Sequence, residues 1–247
     1  MSSFEFESFG TTHEGLVREL NEDQIYLRPD HGIWAVADGM GGHEGGEIAS
    51  AAIVKQLATL GRANSGSDLL ARFEDRIIKA NDEVISISRQ RGSTIGSTIV
   101  SLLIYETHFA CLWMGDSRLY LVRDGVLYPI SRDHSEVQEL LDKGLITPEE
   151  AEIWPRKNVI TRAIGVSTDL MLSMENGAIE DGDLFLLCSD GLTAHIGDDE
   201  ITGFVAGKSA EKAVKTLLDE TLSRGATDNV SIIVVQCRKS TTAIFDM

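Results

Sequence analysis

Residues 97–130 read STIVSLLIYETHFACLWMGDSRLYLVRDGVLYPI. This stretch holds four segments rich in aliphatic, aromatic and β-branched residues, at 97–105, 108–114, 118–122 and 126–130. Such segments predict consecutive β-strands, and the turns between them are short. Because short turns join antiparallel neighbours, whereas parallel strands need long crossovers, the stretch predicts antiparallel sheet and argues against a doubly wound parallel sheet.

The rest of the chain predicts both strands and helices. Further strands are expected at 4–9, 24–27, 33–37, 171–174, 184–188 and 230–235. Apolar residues recur at helical spacing at 48–60, 67–92 and 209–222. Residues 132–165 have few large apolar side chains and are expected to form a surface flap with two short helices. With no repeat and no linker, residues 1–247 predict a single domain of the α+β class.

The composition is that of a soluble globular protein, with 43% hydrophobic and 25% charged residues. The net charge of −17 argues against nucleic acid and anionic membranes as partners. No apolar run approaches the ~20 residues that span a bilayer, and the first residues do not form a signal peptide. The three cysteines lie in apolar runs, which favours reduced core thiols. The sequence therefore predicts a cytoplasmic location.

Four aspartates stand beside glycine or another small turn-forming residue, each at the edge of an apolar run: Asp38, Asp116, Asp190 and Asp228. A carboxylate at a strand end is held by the sheet and remains open to solvent. Several such ends placed together would offer the hard oxygen ligands that Mg²⁺ or Mn²⁺ prefers. The pattern predicts metal-assisted chemistry.

The segment before the second predicted strand carries Arg18, Glu22 and Asp23. The planar guanidinium of Arg18 could hold two oxygens of a phosphate dianion that the carboxylates would otherwise repel. The alternative is a surface salt bridge between Arg18 and Glu22. Glu22 and Asp23 could hold metal-bound waters, or they could belong to a solvated turn.

A glycine-rich stretch, GMGGHEGG, covers residues 39–46. A dinucleotide fingerprint starting at Gly39 needs a glycine where Glu44 stands, and a Walker loop needs a lysine that is missing. Two interpretations stay open. The stretch is a plain turn, or it is a tight bend that leaves the Gly39 carbonyl free to coordinate a metal beside Asp38.

Taken together, eight motifs closely resemble those of the metal-dependent protein serine/threonine phosphatases of type 2C, in their compact bacterial branch. In chain order they are Arg18-x-x-Asn21-Glu22-Asp23, VADGMGG at 36–42, Gly96-Ser97-Thr98, Gly115-Asp116-Ser117-Arg118, SRDHS at 131–135, NVITRAIG at 158–165, SDGL at 189–192 and Thr227-Asp228-Asn229. Any one motif is weak. All eight in the family's order, over nearly the whole chain, are very specific.

The resemblance implies a fold and a cofactor. The fold would be a four-layer α/β/β/α sandwich, with two antiparallel sheets flanked by helix pairs and a metal site at one end. The cofactor would be Mn²⁺ or Mg²⁺, with two ions per chain and a weaker third position. The flap at 132–165 would border the cleft.

The resemblance also implies a role for each aspartate. Asp38 would bridge two metals, one of which the Gly39 carbonyl would also serve. Asp190 and Asp228 would bind the other metal. Asp116, with Asp190, would form the third position.

The implied reaction is direct hydrolysis without a phosphoenzyme. Two cations about 4 Å apart can share a water and lower its pKa enough to supply a bridging hydroxide near neutral pH. Arg18 would hold the phosphate and, with the metals, balance its charge. Glu22 and Asp23 would hold metal-bound waters. No cysteine has an arginine six positions later, as the thiol phosphatases require.

The general acid is left open. Many eukaryotic members carry a histidine where this chain has Met40. His43 is nearby and is one candidate, and a metal-bound water is the other.

The expected substrates are proteins phosphorylated by a bacterial serine/threonine kinase, and the expected state is a monomer. A pseudophosphatase would lack ligand aspartates, and none is missing. A nuclease or phosphodiesterase with two metals is disfavoured by the acidic charge and by the missing basic groove.

Overall fold

The computed structural model describes residues 4–41, 45–156 and 158–240. The strands are β1 Phe4–His13, β2 Asp23–Arg28, β3 Ile33–Met40, β4 Gly96–Ser97, β5 Ile99–Tyr105, β6 His108–Met114, β7 Arg118–Arg123, β8 Val126–Pro129, β9 Ser173–Ala178, β10 Leu184–Cys188 and β11 Val230–Lys239. The helices are α1 Gly46–Leu57, α2 Gly66–Arg91, α3 Glu136–Asp142, α4 Pro148–Glu152, α5 Asp190–Thr193, α6 Asp198–Val205 and α7 Ala210–Ser223. A short 3-10 turn joins β2 to β3.

The strands form two sheets. Sheet A has the order β1-β11-β10-β7-β8, and sheet B has the order β2-β3-β5-β6-β9 with β4 paired to β3. Neighbouring strands run antiparallel in both sheets. The prediction of antiparallel sheet is therefore confirmed.

The central strands of sheet B, β3, β5 and β6, are buried on both faces because they are apolar on both faces. Along β3, Trp34 and Val36 belong to the core between the sheets. The intervening Ile33 and Ala35 belong to the core that sheet B shares with α1 and α2. This alternation follows from the two-residue period of a strand.

Sheet A is covered in the same way. Along β11, Ile233 and Val235 belong to the core between the sheets. Ile232 and Val234 belong to the core that sheet A shares with α6 and α7. The order of layers is helix pair, sheet, sheet, helix pair, so the predicted four-layer α/β/β/α sandwich of the α+β class is confirmed.

Polar caps set the ends of the helices. At the start of α2, the Ser65 hydroxyl accepts a hydrogen bond from the main-chain N–H of Asp68, at 3.1 Å. The helix ends at Gly92, whose φ of 65° is a left-handed value that favours glycine. Thr147 and Glu150 form a capping box at the start of α4.

One predicted strand pairing is wrong. The short turn at 115–117 was expected to join neighbouring strands, but β6 lies in sheet B and β7 lies in sheet A. The turn therefore crosses the sandwich. Its main chain bonds to the flap instead of closing a hairpin, since the Gly115 carbonyl accepts from the N–H of His134 at 2.8 Å. Gly115 itself has a φ of 110°, which glycine adopts readily.

Other differences concern short elements. β9 begins at Ser173, two residues later than the predicted strand at 171–174. The helices α5 and α6 were not predicted, because four and eight residues hold too few turns to show a helical period.

The flap carries α3 and α4, neither of which has a buried residue. Leu145 and Ile153 are exposed there. The helices of the described part of the chain include none that is long and apolar enough to cross a membrane.

Candidate metal centre

Asp38 lies near the carboxyl end of β3, directly opposite Asp23 of β2. Two hydrogen bonds with Thr98 fix the main chain of Asp38. The N–H of Thr98 donates to the Asp38 carbonyl at 2.8 Å, and the N–H of Asp38 donates to the Thr98 hydroxyl at 3.1 Å. At Gly39, a Cβ would lie 2.2 Å from the carbonyl oxygen of Gly46. Only glycine lets β3 approach the start of α1 this closely.

Asp190 and Asp228 come together because β10 and β11 are neighbours in sheet A. Asp190 begins α5 after β10, and Asp228 precedes β11. The two main chains are in contact, since a Cβ at Gly191 would lie 1.9 Å from the carbonyl oxygen of Asn229. Asp116 joins them from the turn before β7, which is the other neighbour of β10.

The structure brings the predicted aspartates close enough to repel one another. Burial raises the pKa of Asp38 well above its usual value, and the charges of Asp23, Asp190, Asp116 and Asp228 raise it further. Burial, and then the charge of Asp190, raises the pKa of Asp116 to about 7. The pKa of Asp190 is also raised, mainly by burial and then by the charge of Asp228.

Asp23 is fully buried and only half satisfied. Its Oδ2 accepts a hydrogen bond from the Ser189 hydroxyl at 2.8 Å, whereas its Oδ1 is buried and has no hydrogen-bond partner. Burial raises the pKa of Asp23 to about 7. A buried carboxylate oxygen normally has a donor, and a water held by a cation would supply one.

The donor set fits divalent cations. The side chains that meet here are carboxylates, which are hard oxygen ligands, and they repel one another as they stand. Among the residues that the structure describes, no three acidic, histidine or cysteine side chains converge tightly enough to form a preformed ion site. Bound cations would have to draw the carboxylates together, and doing so would relieve their repulsion.

Arg18 faces the cluster from the loop between β1 and β2. Its Nε donates to Oδ1 of Asp228 at 2.9 Å, and its Nη2 donates to Oδ2 at 2.7 Å. Arg18 therefore forms its salt bridge with Asp228. It does not form the salt bridge with Glu22 that the sequence left open as an alternative. Glu22 instead accepts a hydrogen bond through Oε1 from the N–H of Gly46, at 2.9 Å.

Asn229 has a positioning role that was not predicted from the sequence, where it is only the last residue of the motif Thr227-Asp228-Asn229. Its Nδ2 donates to the carbonyls of Glu14 and Leu20, each at 2.9 Å. Its Oδ1 accepts from the N–H of Glu22 at 2.8 Å. One side chain therefore fixes the whole Arg18 loop to the start of β11. The available signal was an amide residue directly after a predicted ligand aspartate.

A buried hydroxyl pair connects the two sheets at the site. The Thr98 hydroxyl, which accepts from the N–H of Asp38, lies 2.7 Å from the hydroxyl of Ser117. Ser117 is the next residue after Asp116, so the pair sets the spacing between the main chains that carry the two aspartates. Both hydroxyl residues are buried. The sequence showed them only as parts of motifs.

Thr98→Val keeps the shape of the side chain and removes its hydroxyl. We expect apparent Mn²⁺ affinity to fall roughly tenfold to a hundredfold, because partners that orient ligands have effects of that size. Calorimetric titration with Mn²⁺ measures this directly. Thr98→Ser, which restores the hydroxyl, should recover most of the affinity. Equal affinity in the valine and wild-type proteins would show that the hydroxyl pair does not set the site.

His134 orders the start of the flap. Its Nδ1 accepts from the N–H of Gly115 at 3.1 Å, so its Nε2 donates to the Ser173 hydroxyl at 2.9 Å. The ring stacks on Trp113, with centroids 5.9 Å apart. Burial, and then the charge of Arg162, lowers the pKa of His134 to about 4.

The neutral His134 ring should stabilise the fold in a pH-dependent way. The charges of Asp133 and Glu139 raise the pKa of His134, but they only partly offset the lowering caused by burial and by Arg162. Because its folded pKa lies below the usual value of about 6.5, its contribution is complete above that value and is lost as the pH falls toward 4.

Urea unfolding of wild-type protein and of His134→Gln at pH 7 and pH 5 tests this. At pH 7 we expect the wild type to be the more stable protein. At pH 5 the difference in unfolding free energy should narrow by on the order of 1 kcal/mol, after allowance for partial exposure. A difference that stays constant would contradict the buried, neutral ring.

The remaining predicted residue is His43, which lies outside the described residues. An apolar cavity of about 580 Å³ lies at the other end of sheet B, beside Leu69, Leu103 and Met174. No predicted site residue lines that cavity.

The chain is similar to known proteins over most of its length. Residues 5–140 match the family model described as protein phosphatase 2C. The serine/threonine protein phosphatase PstP of Mycobacterium tuberculosis is 37% identical over 224 residues, which cover 89% of this chain and 43% of PstP. The chain thus spans less than half of that relative. The serine/threonine phosphatase stp of Listeria monocytogenes is 32% identical over 236 residues, covering 91% of this chain and 93% of stp.

Solved structures agree with these relatives. PppA, described as a key regulatory component of T6SS in Pseudomonas aeruginosa, is 40% identical with a TM-score of 0.87, covering 94% of this chain and 97% of PppA. The catalytic domain of PstP in complex with two manganese ions is 32% identical with a TM-score of 0.86, covering 95% of this chain and 99% of that domain.

Proposed function

The chain belongs to the protein phosphatase 2C family of serine/threonine phosphatases, and we propose that it hydrolyses phosphoserine and phosphothreonine in proteins. The observation that carries the proposal is the cluster of four aspartates beside Arg18. Burial and mutual repulsion raise the pKa values of Asp38, Asp116 and Asp190, which is the electrostatic setting of a site for divalent cations.

Two Mn²⁺ or Mg²⁺ ions, with a weaker third, would be held by the residues that the family resemblance assigned. Asp38 would contact two ions and the Gly39 carbonyl one of them. Asp190 and Asp228 would hold the second, and Asp116 the third. When bound, the cations would activate a water and balance the charge of the phosphoryl group.

Arg18 would bind and orient the phosphate. Its Nε and Nη2 already donate side by side to the two oxygens of a carboxylate. Two phosphate oxygens present a similar acceptor geometry to the same planar fork. Asn229 would keep the Arg18 loop in a fixed position beside the aspartate cluster.

The cysteines support direct attack by water without a phosphoenzyme. All three are buried, and burial raises the pKa of Cys188 and of Cys237 to about 12. A thiolate nucleophile would need a lowered pKa and access to substrate. Buried free thiols also suit a reducing compartment, which supports a cytoplasmic location.

The proton for the leaving serine or threonine oxygen still has two candidate donors, His43 and a metal-activated water. His134 is not a third candidate, because both of its ring nitrogens are engaged and its pKa is lowered to about 4. We further propose that the substrates are products of a bacterial serine/threonine kinase, and that the enzyme acts as a monomer.

Activity on p-nitrophenyl phosphate and on a phosphothreonine peptide, with and without Mn²⁺, tests the proposed function. We expect turnover of both substrates that needs the metal and stops on chelation. A pseudophosphatase would bind the peptide without turnover. A nuclease or phosphodiesterase would cleave bis(p-nitrophenyl) phosphate in preference to the monoester, and either result would contradict the proposal.

A further inference from the structure

The loop that carries Arg18 presents aliphatic side chains to solvent. Leu16 is 61% exposed, Val17 is 64% exposed and Leu20 is 46% exposed. Single exposed apolar residues are ordinary on a protein surface, but three within five consecutive residues beside a candidate site form a patch. These three residues are here named the apolar loop surface.

The exposure of this surface does not come from a loose loop. The N–H of Leu16 donates to the carbonyl of Ala226 at 2.9 Å, and Asn229 binds the carbonyl of Leu20 at 2.9 Å. A Cβ at Gly15, whose φ is 79°, would lie 2.2 Å from the carbonyl oxygen of Asp228. The loop therefore lies tightly against residues 226–229 and holds its aliphatic side chains outward.

The position of the surface indicates what would cover it. Val17 is adjacent to Arg18, whose guanidinium contacts Asp228 of the aspartate cluster. A phosphate held by Arg18 is attached to a peptide, whose neighbouring residues follow at about 3.8 Å between Cα atoms. A neighbour that leaves the Arg18 site on the side of Val17 would cross the loop at 16–20, where three of the five residues are exposed aliphatic ones.

We propose that the apolar loop surface binds an apolar side chain next to the phosphorylated residue of a protein substrate. The inference rests on the proposed phosphatase function and adds a substrate class to it: phosphopeptides with leucine-like or aromatic neighbours. Because the loop is already ordered, it loses little conformational entropy when a peptide binds. Peptides whose neighbouring side chains bury more apolar area on the loop should therefore bind more tightly.

Two phosphothreonine peptides test the proposal, identical except that leucine or serine flanks the phosphothreonine on both sides. The measured quantity is the ratio of kcat/KM for the leucine peptide to kcat/KM for the serine peptide, in which the amount of active enzyme cancels. For the wild type with Mn²⁺ we expect a ratio of about ten. In Leu16→Asn combined with Val17→Thr, the ratio should fall to about two or less.

Val126→Thr is the matched control, since Val126 is 49% exposed at the start of β8. Val126 pairs with Arg123, at the end of β7 that is far from Asp116. The Val126→Thr variant should therefore keep the wild-type ratio of kcat/KM values. If the double variant does not fold, Val17→Thr alone should still lower the ratio.

A wild-type ratio near one, or a double variant that keeps the wild-type ratio, would overturn the proposal. A wild type that self-associates through these residues while the ratio is unaffected would assign the surface to a second copy of the chain and also overturn it. Absence of metal-dependent turnover of both peptides and of p-nitrophenyl phosphate is a different result, because it removes the phosphatase function itself.

Discussion

Asp38→Asn is expected to lower the turnover of phosphate esters roughly a thousandfold or more. The charges of Asp23, Asp190, Asp116 and Asp228 all raise the pKa of Asp38, so the Asp38 carboxyl lies near each of them. Asparagine keeps the size of the side chain and removes the charge that would ligate two cations. The measurement is kcat on p-nitrophenyl phosphate at saturating Mn²⁺.

Asp30→Asn is the matched control for this variant. Asp30 lies in the turn between β2 and β3, at the end of both strands that is remote from Asp38. The kcat of the Asp30→Asn enzyme should stay within about twofold of the wild-type value, as is usual for surface substitutions. An Asp38→Asn enzyme of near-normal activity would remove Asp38 from the metal site.

Asp38→Asn has a second expected effect, which is on the stability of the metal-free protein. Removing one charge from a group of buried, repelling carboxylates should raise the unfolding free energy by on the order of 1 kcal/mol. Urea unfolding in the presence of a chelator measures this change. A lower stability for Asp38→Asn would contradict the repulsion inferred from the raised pKa values.

Arg18→Ala is the second prediction with a large effect. We expect kcat/KM to fall by roughly tenfold to a hundredfold, because a pair of charge-assisted hydrogen bonds to phosphate is lost. Arg18→Lys should recover only part of this loss, since lysine keeps the charge and lacks the planar fork. The measurement is steady-state kinetics with the phosphothreonine peptide.

Metal affinity separates this role of Arg18 from a purely structural one. In the structure the guanidinium occupies both oxygens of Asp228. Its removal frees Asp228, so Arg18→Ala should bind Mn²⁺ several times more tightly in the absence of phosphate while turning over substrate more slowly. Unchanged kcat/KM would reject the phosphate-binding role. Weaker Mn²⁺ binding would indicate that Arg18 mainly holds the site together.

The proximity of the predicted aspartates could be anticipated because it depends on local patterns. Asp38 and Asp190 each follow an apolar run, and such runs become strands whose ends the sheet fixes in space. The antiparallel prediction also held, because it depended on short turns such as the one at 123–125. These features need only a few neighbouring residues to be recognised.

What could not be predicted depends on the order of strands within the sheets. Asn229 and Glu14 are far apart in the sequence, and they meet only because β1 and β11 are neighbours. Thr98 and Ser117 meet because the turn at 115–117 crosses between sheets, which the same short-turn rule missed. Local propensity carries no information on which sheet a strand joins.

The proposed function depends on a pair of divalent cations held by the aspartate cluster. Calorimetric titration of chelator-treated protein with Mn²⁺ measures this binding, with Asp38→Asn and Asp30→Asn titrated in parallel. We expect at least two Mn²⁺ ions per chain in the wild type and in Asp30→Asn, and the loss of at least one in Asp38→Asn. A wild type that binds no Mn²⁺, or an Asp38→Asn protein with the same stoichiometry and affinity as the wild type, would contradict it.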